Sequence, residues 1–123
     1  MQFLRAAAFL LAGLSGALPA RAGDLTLLMV EQPGCNHCAA WHAEVGPEYP
    51  VTAEGRAAPL QRQDLRADLP DGVTLVSPPV FTPTFVLLDD GQEVARLEGY
   101  PGEDFFWGLL SGMIRDAGGQ IEG

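Results

Sequence analysis

The two cysteines of this 123-residue chain lie three positions apart, in the segment Cys35-Asn36-His37-Cys38. Two thiols at this spacing can close a small structural disulfide, bind a soft metal ion, or exchange disulfides with a partner. Exchange requires one thiol that ionises easily and a second thiol within reach of it. The segments on either side of the pair indicate which of these uses applies.

A predicted strand precedes the pair and a predicted helix follows it. The strand is the apolar stretch at residues 24–30, which is bounded by turn residues as buried strands commonly are. The helix covers residues 35–45, where apolar side chains recur at spacings of three and four, and Gly46-Pro47 ends it. The pair therefore sits in the first turn of a helix, beside unpaired N–H groups that stabilise an anion.

This placement predicts different roles for the two thiols. Cys35 is predicted to be the nucleophile, because the helix N-terminus lowers the pKa of its thiol from the ordinary value of about 8.5. Cys38, one helical turn further on, is predicted to be the more buried, resolving cysteine. It attacks the mixed disulfide on Cys35, releases the partner and leaves the redox-active disulfide Cys35–Cys38.

The two residues between the cysteines, Asn36 and His37, are predicted to tune the redox chemistry. A protonated His37 places positive charge beside the thiolate and favours the reduced form, which makes a protein a better oxidant. His37 could equally be an exposed side chain with little influence. The direction of electron flow therefore stays open at the level of the sequence.

Residues 1–22 have the composition of a secretory signal peptide. Arg5 supplies a basic start, residues 6–18 form an apolar run, and Ala20-Arg21-Ala22 fits the pattern of a cleavage site. The apolar run is shorter than the roughly 20 residues of a membrane span, which makes an uncleaved anchor the weaker alternative. We expect cleavage after the leader, one domain at residues 23–123, a periplasmic location and no stable membrane insertion.

The charge of the chain argues against some classes of partner. The full chain has 7 basic and 16 acidic residues and a formal net charge of −9. Two of the basic residues lie in the leader, so the mature chain keeps five against 16 acids, a net charge of −11. This charge argues against nucleic acid and anionic membrane surfaces as partners, and it favours a monomer.

Two alternatives to disulfide exchange stay open. Export places the pair where disulfides persist, but a bridge across so short a loop stabilises a fold by only about 2 kcal/mol. Cys35, Cys38 and His42 also share one helical face and, with His37, could bind Cu(I) or Zn(II). A metal-binding chaperone is therefore the rival function, although a second ligand cluster is missing. For the exchange function we expect no metal and no other cofactor.

The remaining segments complete a predicted sheet. Residues 59–65 form a second strand, and residues 85–88 and 92–98 form a hairpin around Asp90-Gly91, with Val94 and Leu97 facing the core. Residues 66–79 are rich in turn residues and could hold a short helix at residues 73–76. A last helix covers residues 103–117, with an apolar stripe made of Phe106, Leu109, Leu110, Met113 and Ile114.

The order of elements is β-α-β, a linking segment, then β-β-α. The first two strands need a helical crossover and are predicted to be parallel, whereas the last two form an antiparallel hairpin. An α/β fold with a four-stranded mixed sheet and helices on both faces accommodates every segment. The aromatic residues assigned to its core are Trp41, Phe85, Phe105, Phe106 and Trp107.

These motifs together resemble the thioredoxin-fold family of thiol–disulfide oxidoreductases. The landmarks are Cys35-x-x-Cys38 between a strand and a helix, Thr82-Pro83 before the hairpin, and Gly99 after it. In the family the proline is cis and packs beside the disulfide, which implies that the backbone of Thr82 pairs with an incoming peptide; the alternative is an ordinary strand-edge proline. The substrate-binding residues expected from this resemblance are Gly34, Thr82, Pro83, Gly99 and Tyr100.

A closer resemblance is to the SoxS-type periplasmic thioredoxins of bacterial sulfur oxidation. It is carried by the segments EQPGC at 31–35, WHAE at 41–44, TAEGRAAPL at 52–60, FTPTFV at 81–86 and EGYPGEDFFWGL at 98–109. It implies a reductase that keeps the cysteine of a SoxY-type carrier of thiosulfate oxidation active and is recharged by a membrane thiol-electron donor. A general periplasmic disulfide oxidase or reductase with many clients has the same chemistry and differs only in its partners.

The chain departs from ordinary thioredoxins at two positions. Gly34 replaces the tryptophan before the first cysteine, and an apolar position near Met29 replaces the buried aspartate of the first strand. Glu31 is the nearest carboxylate to the pair and could transfer a proton to Cys38 in place of that aspartate. It could equally be a solvated loop residue.

Overall fold

The computed structural model describes residues 23–121, together with Gly13. The predicted signal peptide, residues 1–22, otherwise lies outside the described residues. The elements in chain order are β1 (Leu25–Glu31), α1 (Asn36–Glu44), a 3-10 turn (Tyr49–Val51), α2 (Ala53–Ala57), β2 (Leu60–Asp64), β3 (Thr84–Asp89), β4 (Gln92–Glu98) and α3 (Glu103–Asp116). No helix within this part of the chain is both long enough and apolar enough to cross a membrane.

The sheet has the predicted mixed topology. Its strand order is β2-β1-β3-β4; β1 and β2 are parallel, and the other two pairs are antiparallel. The central strands β1 and β3 are nearly continuous runs of buried residues, because a strand between two others can be covered on both faces. The predicted α/β fold with a four-stranded mixed sheet is therefore confirmed.

The helices, in contrast, pack on one face of the sheet and not on both as predicted. The main core joins alternate residues of the central strands to α1 and α3 and contains Leu27, Met29, Trp41, Phe85, Leu87, Phe106 and Leu110, among others. The opposite face consists of Leu28, Val30, Val86 and Leu88, which are covered by Leu65, Val73 and Leu75 of the segment between β2 and β3. Pro70, Gly72, Pro78 and Pro79 disfavour a helix in that segment, so an irregular chain forms the second layer.

This linking segment, residues 65–83, is attached to the edge strand β4. The short helix predicted near residues 73–76 does not form there. Instead, Thr74 makes a parallel bridge to Gln92, with hydrogen bonds from Thr74 N–H to the Gly91 carbonyl at 2.8 Å and from Glu93 N–H to the Thr74 carbonyl at 3.0 Å. The bridge satisfies backbone groups of an edge strand that would otherwise be open to another chain.

A β-bulge in β4 overturns the predicted orientation of Val94. Leu87 pairs with Ala95 and Leu88 with Glu93, so Val94 is the extra residue and is 48% exposed. An inserted residue shifts the alternation of a strand by one. The shift places Glu93 and Arg96 on the same face of the sheet, where the linking segment lies.

Glu93 and Arg96 form an ion pair that holds the linking segment. Arg96 donates to the two carboxylate oxygens of Glu93 at 2.7 and 3.0 Å, and their side chains are only 14% and 8% exposed, respectively. Glu93 Oε1 also accepts the N–H of Val76 at 3.1 Å, and Arg96 Nη2 donates to the carbonyl of Ser77 at 2.6 Å. The pair thereby fixes the backbone that leads to Thr82 and β3.

Replacing Arg96 with alanine is expected to lower the free energy of unfolding by about 3 kcal/mol, because Glu93 then stays buried without its partner. The double variant Glu93→Leu/Arg96→Met is the control, and it should cost less because it removes both charges together. Urea denaturation measures both changes. A loss below about 1 kcal/mol for the single variant would show that the pair does not hold the segment.

The last helix buries part of its predicted stripe. Phe106, Leu110 and Ile114 are buried and Met113 packs against the core, but Leu109 is 46% exposed. Phe105, which was assigned to the core, is 70% exposed. Only one face of α3 meets the sheet, and these two residues lie beyond the edge of that face.

Candidate active site

The cysteine pair lies where β1 gives way to α1. After β1 ends at Glu31, the chain turns through Gly34, whose φ of 77° is one that glycine adopts without steric cost. Cys35 is the N-cap of α1, in extended conformation, and Cys38 is one turn into the helix. The strand and the turn together present the first cysteine at the helix N-terminus, as the sequence predicted.

The two cysteines form a disulfide, with their Cα atoms 5.2 Å apart. Cys35 is partly exposed, whereas Cys38 is 3% exposed and belongs to the main core. The backbone N–H of Cys38 donates to Cys35 Sγ at 3.1 Å. In the reduced protein the same N–H would lie beside the sulfur of Cys35, at the N-terminus of α1.

Thr82 and Pro83 lie next to the loop that leads to the pair. Gln32 Nε2 donates to Thr82 Oγ1 at 2.9 Å, and the Thr82–Pro83 peptide bond is cis. Gly99 N–H donates to the carbonyl of buried Pro83 at 2.7 Å. This hydrogen bond places the turn after β4 next to Thr82 and Pro83. Among the described residues, the backbone N–H and carbonyl of Thr82 have no hydrogen-bond partner, so both are available to an extended peptide.

Tyr100 connects the turn after β4 to the end of α1. Its hydroxyl donates to the carboxylate of Glu44, and its ring contacts Phe106 edge-on at 6.1 Å between centroids. Burial, followed by the neighbouring Glu44, raises the pKa of Tyr100 above its ordinary value. The hydroxyl of Tyr100 is thus a hydrogen-bond donor with a fixed partner.

Asn36 and His37 occupy the first turn of α1, and both are exposed. Their side chains make no hydrogen bond to the described part of the chain. They therefore lie beside Cys35 on the side open to solvent and to a partner.

Glu31 is the centre of a charge network at the end of β1. Its carboxylate accepts hydrogen bonds from Arg62 Nε at 2.6 Å and Nη2 at 3.0 Å, and its Oε1 lies 2.9 Å from His42 Nε2. Burial by itself raises the pKa of Glu31, but the hydrogen bonds and charges of Arg62 and His42 outweigh it, and the pKa lies below its ordinary value. At 15% side-chain exposure, Glu31 is an ionised, anchored group and not the solvated loop residue considered above.

Sequence reasoning missed Arg62 and considered His42 only as a metal ligand. The strand register is the signal that could have found Arg62. This residue lies on β2 opposite Met29 of β1, and Met29 is two residues before Glu31. Among the described residues, no cluster of three or more His, Cys, Asp or Glu side chains is arranged to hold a metal ion.

Comparison with known proteins identifies relatives of this fold and site. The chain is 58% identical to the periplasmic thioredoxin SoxS from Paracoccus pantotrophus, solved in its reduced form, over 76% of this chain and 99% of that one, with a TM-score of 0.75. It is also similar to Fasciola hepatica thioredoxin, at 18% identity over 75% of this chain and 83% of that one, with a TM-score of 0.51; that likeness shows the fold alone. No protein-family model and no curated protein matches the chain.

Proposed function

The chain belongs to the SoxS-type thioredoxins, thiol–disulfide oxidoreductases with a Cys-x-x-Cys pair, and on that premise we propose that it reduces a cysteine of a periplasmic partner and so keeps the partner active. The observation that carries the proposal is 58% identity over 99% of a periplasmic thioredoxin SoxS. The partner we propose is a SoxY-type carrier of thiosulfate oxidation. Its reactive cysteine is the group to be released from a disulfide.

The proposed cycle begins with the reduced pair. The Cys35 thiolate attacks one sulfur of the client disulfide, and the other client sulfur leaves as a thiolate that takes up a proton. Cys38 then loses its proton and attacks Cys35, which breaks the bond to the client and releases its second thiolate. The client gains two electrons, and the protein loses two by forming the Cys35–Cys38 disulfide.

The proposed client-binding groove runs past Gly34, Thr82–Pro83 and the turn at Gly99–Tyr100. The unpaired backbone groups of Thr82 support it, because they can form two hydrogen bonds with an extended client segment. Gly34, directly before Cys35, has no side chain, and the space around it is open. A client can therefore be held as an added strand while Cys35 Sγ approaches one of its sulfurs along the axis of the client disulfide bond.

Asn36 and His37 are proposed to set the redox poise, since they border the thiolate and are exposed. A proton on His37 would favour the thiolate through its positive charge. Each turnover also leaves an oxidised pair, so continued reduction of clients needs two electrons from outside. We propose a membrane thiol-electron donor as their source.

The proposed setting is the periplasm, where the relative from Paracoccus pantotrophus is found. Residues 1–22 are proposed as a cleaved signal peptide and residues 23–123 as the mature domain, acting as a monomer. An oxidising compartment fits the proposed function, because clients there form disulfides that must be reduced again.

The test is a trap for the client. In the variant Cys38→Ser the mixed disulfide on Cys35 cannot be resolved, so we expect one dominant adduct in cells oxidising thiosulfate, released by dithiothreitol and identified by mass spectrometry as a SoxY-type protein. The double variant Cys35→Ser/Cys38→Ser is the matched control and should trap nothing. Many adducts of similar abundance would instead indicate a general oxidoreductase, and an empty trap would contradict exchange through Cys35.

A further inference from the structure

The resolving cysteine needs a proton acceptor that the cycle above does not name. Cys38 must be a thiolate to attack, yet its side chain is 3% exposed within the core cluster of Trp41 and Phe85. Burial in apolar surroundings favours the neutral thiol. A buried thiol that reacts in every cycle therefore requires a nearby base and a route for its proton to water.

His42 is placed to be that base. It lies four residues after Cys38 on α1, and side chains at this spacing are neighbours on one face of a helix. Helical side chains also point back towards the N-terminus, which directs the imidazole of His42 towards Cys38. The ring packs edge-on against Trp41, at 5.2 Å between centroids.

Glu31 determines which nitrogen of His42 is available. Nε2 of the imidazole lies 2.9 Å from Glu31 Oε1, and an ionised carboxylate binds a donor, so the hydrogen of a neutral imidazole is on Nε2. Nδ1 then carries a lone pair, and it has no hydrogen-bond partner among the described residues. A carboxylate that holds one nitrogen and leaves the other as an acceptor is the arrangement of a general base.

A cleft connects this network to solvent. It has a volume of about 500 Å³ and is lined by Glu31, Gln32, Pro33, Arg62, Gln63 and Asp64. Glu31 therefore lies between the imidazole of His42 and the solvent-filled cleft. Arg62 holds both carboxylate oxygens, which keeps Glu31 in place beside His42.

We propose that His42, oriented by Glu31, accepts the proton of Cys38 as Cys38 attacks the mixed disulfide, and then releases this proton to water. His42 is the base and Glu31 is the positioning residue. The charged groups next to His42 are Glu31 from β1, which contacts it directly, and Arg62 from β2, which binds the same carboxylate; Cys38 is its neighbour by the i, i+4 spacing of α1. The inference rests on the proposed roles of Cys35 and Cys38.

The proposed step is balanced. The S–H bond of Cys38 breaks and its proton moves to Nδ1 of His42, while the sulfur electron pair forms the bond to Cys35 Sγ. The bond between Cys35 and the client breaks, and its electron pair leaves with the client sulfur, which takes a proton from water. The imidazolium then loses the proton on Nδ1 to solvent, to which the His42 side chain is 31% exposed, and this restores the Nε2–H tautomer for the next cycle.

The test separates attack by Cys35 from resolution by Cys38. Reduced protein is mixed with an equal amount of Ellman's reagent in a stopped-flow instrument. The first thionitrobenzoate released reports formation of the mixed disulfide, and the second reports its resolution. General base catalysis contributes about 10²–10⁴-fold, so we expect His42→Asn to slow the second release at least tenfold and to leave the first within twofold.

Three further measurements distinguish a base from a structural side chain. Glu31→Gln keeps the size of the side chain and removes its charge, and we expect it to slow the second release and change the pH dependence of that step alone. Glu48→Gln, in the loop after α1, is the matched control and should behave as wild type. Added imidazole should restore part of the second release in His42→Ala, which a merely structural loss would not allow.

Two outcomes overturn the inference. In one, the second release stays within twofold of wild type in both His42→Asn and Glu31→Gln, with the same pH dependence. In the other, both releases slow equally, which shows that the residues only support the fold. Ellman's reagent needs no protein client, so the result is independent of whether the client proposal holds. If the variant Cys35→Ser releases the first thionitrobenzoate at the wild-type rate, the proposed roles of the two cysteines are wrong.

Discussion

Serine in place of Cys35 is expected to abolish disulfide exchange, with a loss of several orders of magnitude in rate, because it removes the covalent nucleophile. A serine hydroxyl does not ionise near neutral pH and cannot accept a client sulfur. Serine is, however, a good N-cap residue, so α1 should keep its start and the loss should be chemical. Reduction of a fluorescent disulfide-linked peptide, with dithiothreitol as electron source, measures the rate.

The comparison for this variant must be the reduced wild type, because the substitution also removes the Cys35–Cys38 disulfide. Thermal unfolding of the two proteins under reducing conditions is expected to agree within a few degrees. Cys38→Ser should form the first covalent adduct at a normal rate and then stop. A Cys35→Ser protein that retains a tenth of the wild-type rate would refute the assignment of Cys35 as the nucleophile.

Trp41→Ala is expected to lower the free energy of unfolding by about 3–5 kcal/mol, a large part of the total stability of a domain this size. Trp41 is 0% exposed and lies at the centre of an aromatic cluster. Its ring is 5.5 Å from Phe85 and 5.8 Å from both Tyr49 and Phe106, measured between centroids. These contacts join α1 to the sheet and to α3, so the cavity opens at the point where all three meet.

Trp41→Phe is the control for this prediction. It keeps an aromatic ring at the centre of the cluster but removes part of the indole, including Nε1, which is buried and has no hydrogen-bond partner in the described part of the chain. We expect a cost of about 1–2 kcal/mol, because a smaller cavity is left and no hydrogen bond is lost. Urea denaturation of both variants provides the measurement. Equal losses for alanine and phenylalanine would mean that the cluster does not pack around this ring.

The elements that the sequence predicted well are those whose signals are local. The apolar run of β1 and the helical spacing after Cys35 each lie within a dozen residues, and both elements form where expected. Asp90 and Gly91 have φ values of 50° and 82°, the left-handed pair that an Asp-Gly hairpin turn requires. Local backbone preferences were sufficient for each of these features.

Features that depend on a partner elsewhere in the chain were missed. Val94 alternates correctly with its neighbours in sequence, but the bulge in the β3–β4 pairing turns it to solvent. The second layer of the fold could not be predicted either, because Leu65, Val73 and Leu75 are scattered through a segment with no periodic pattern. Only their docking on β1 and β3 shows that they form a core.

The sequence by itself predicted disulfide exchange at the cysteine pair, because the spacing of the thiols and their place at the start of a helix are properties of a few adjacent residues. The tertiary structure alone decided the surroundings of that chemistry. Glu31, His42 and Arg62 come from β1, α1 and β2, and the parallel register of β1 with β2 brings Arg62 to a carboxylate 31 residues away. Such a charge network depends on strand pairing and helix packing across the whole domain, which no local pattern encodes.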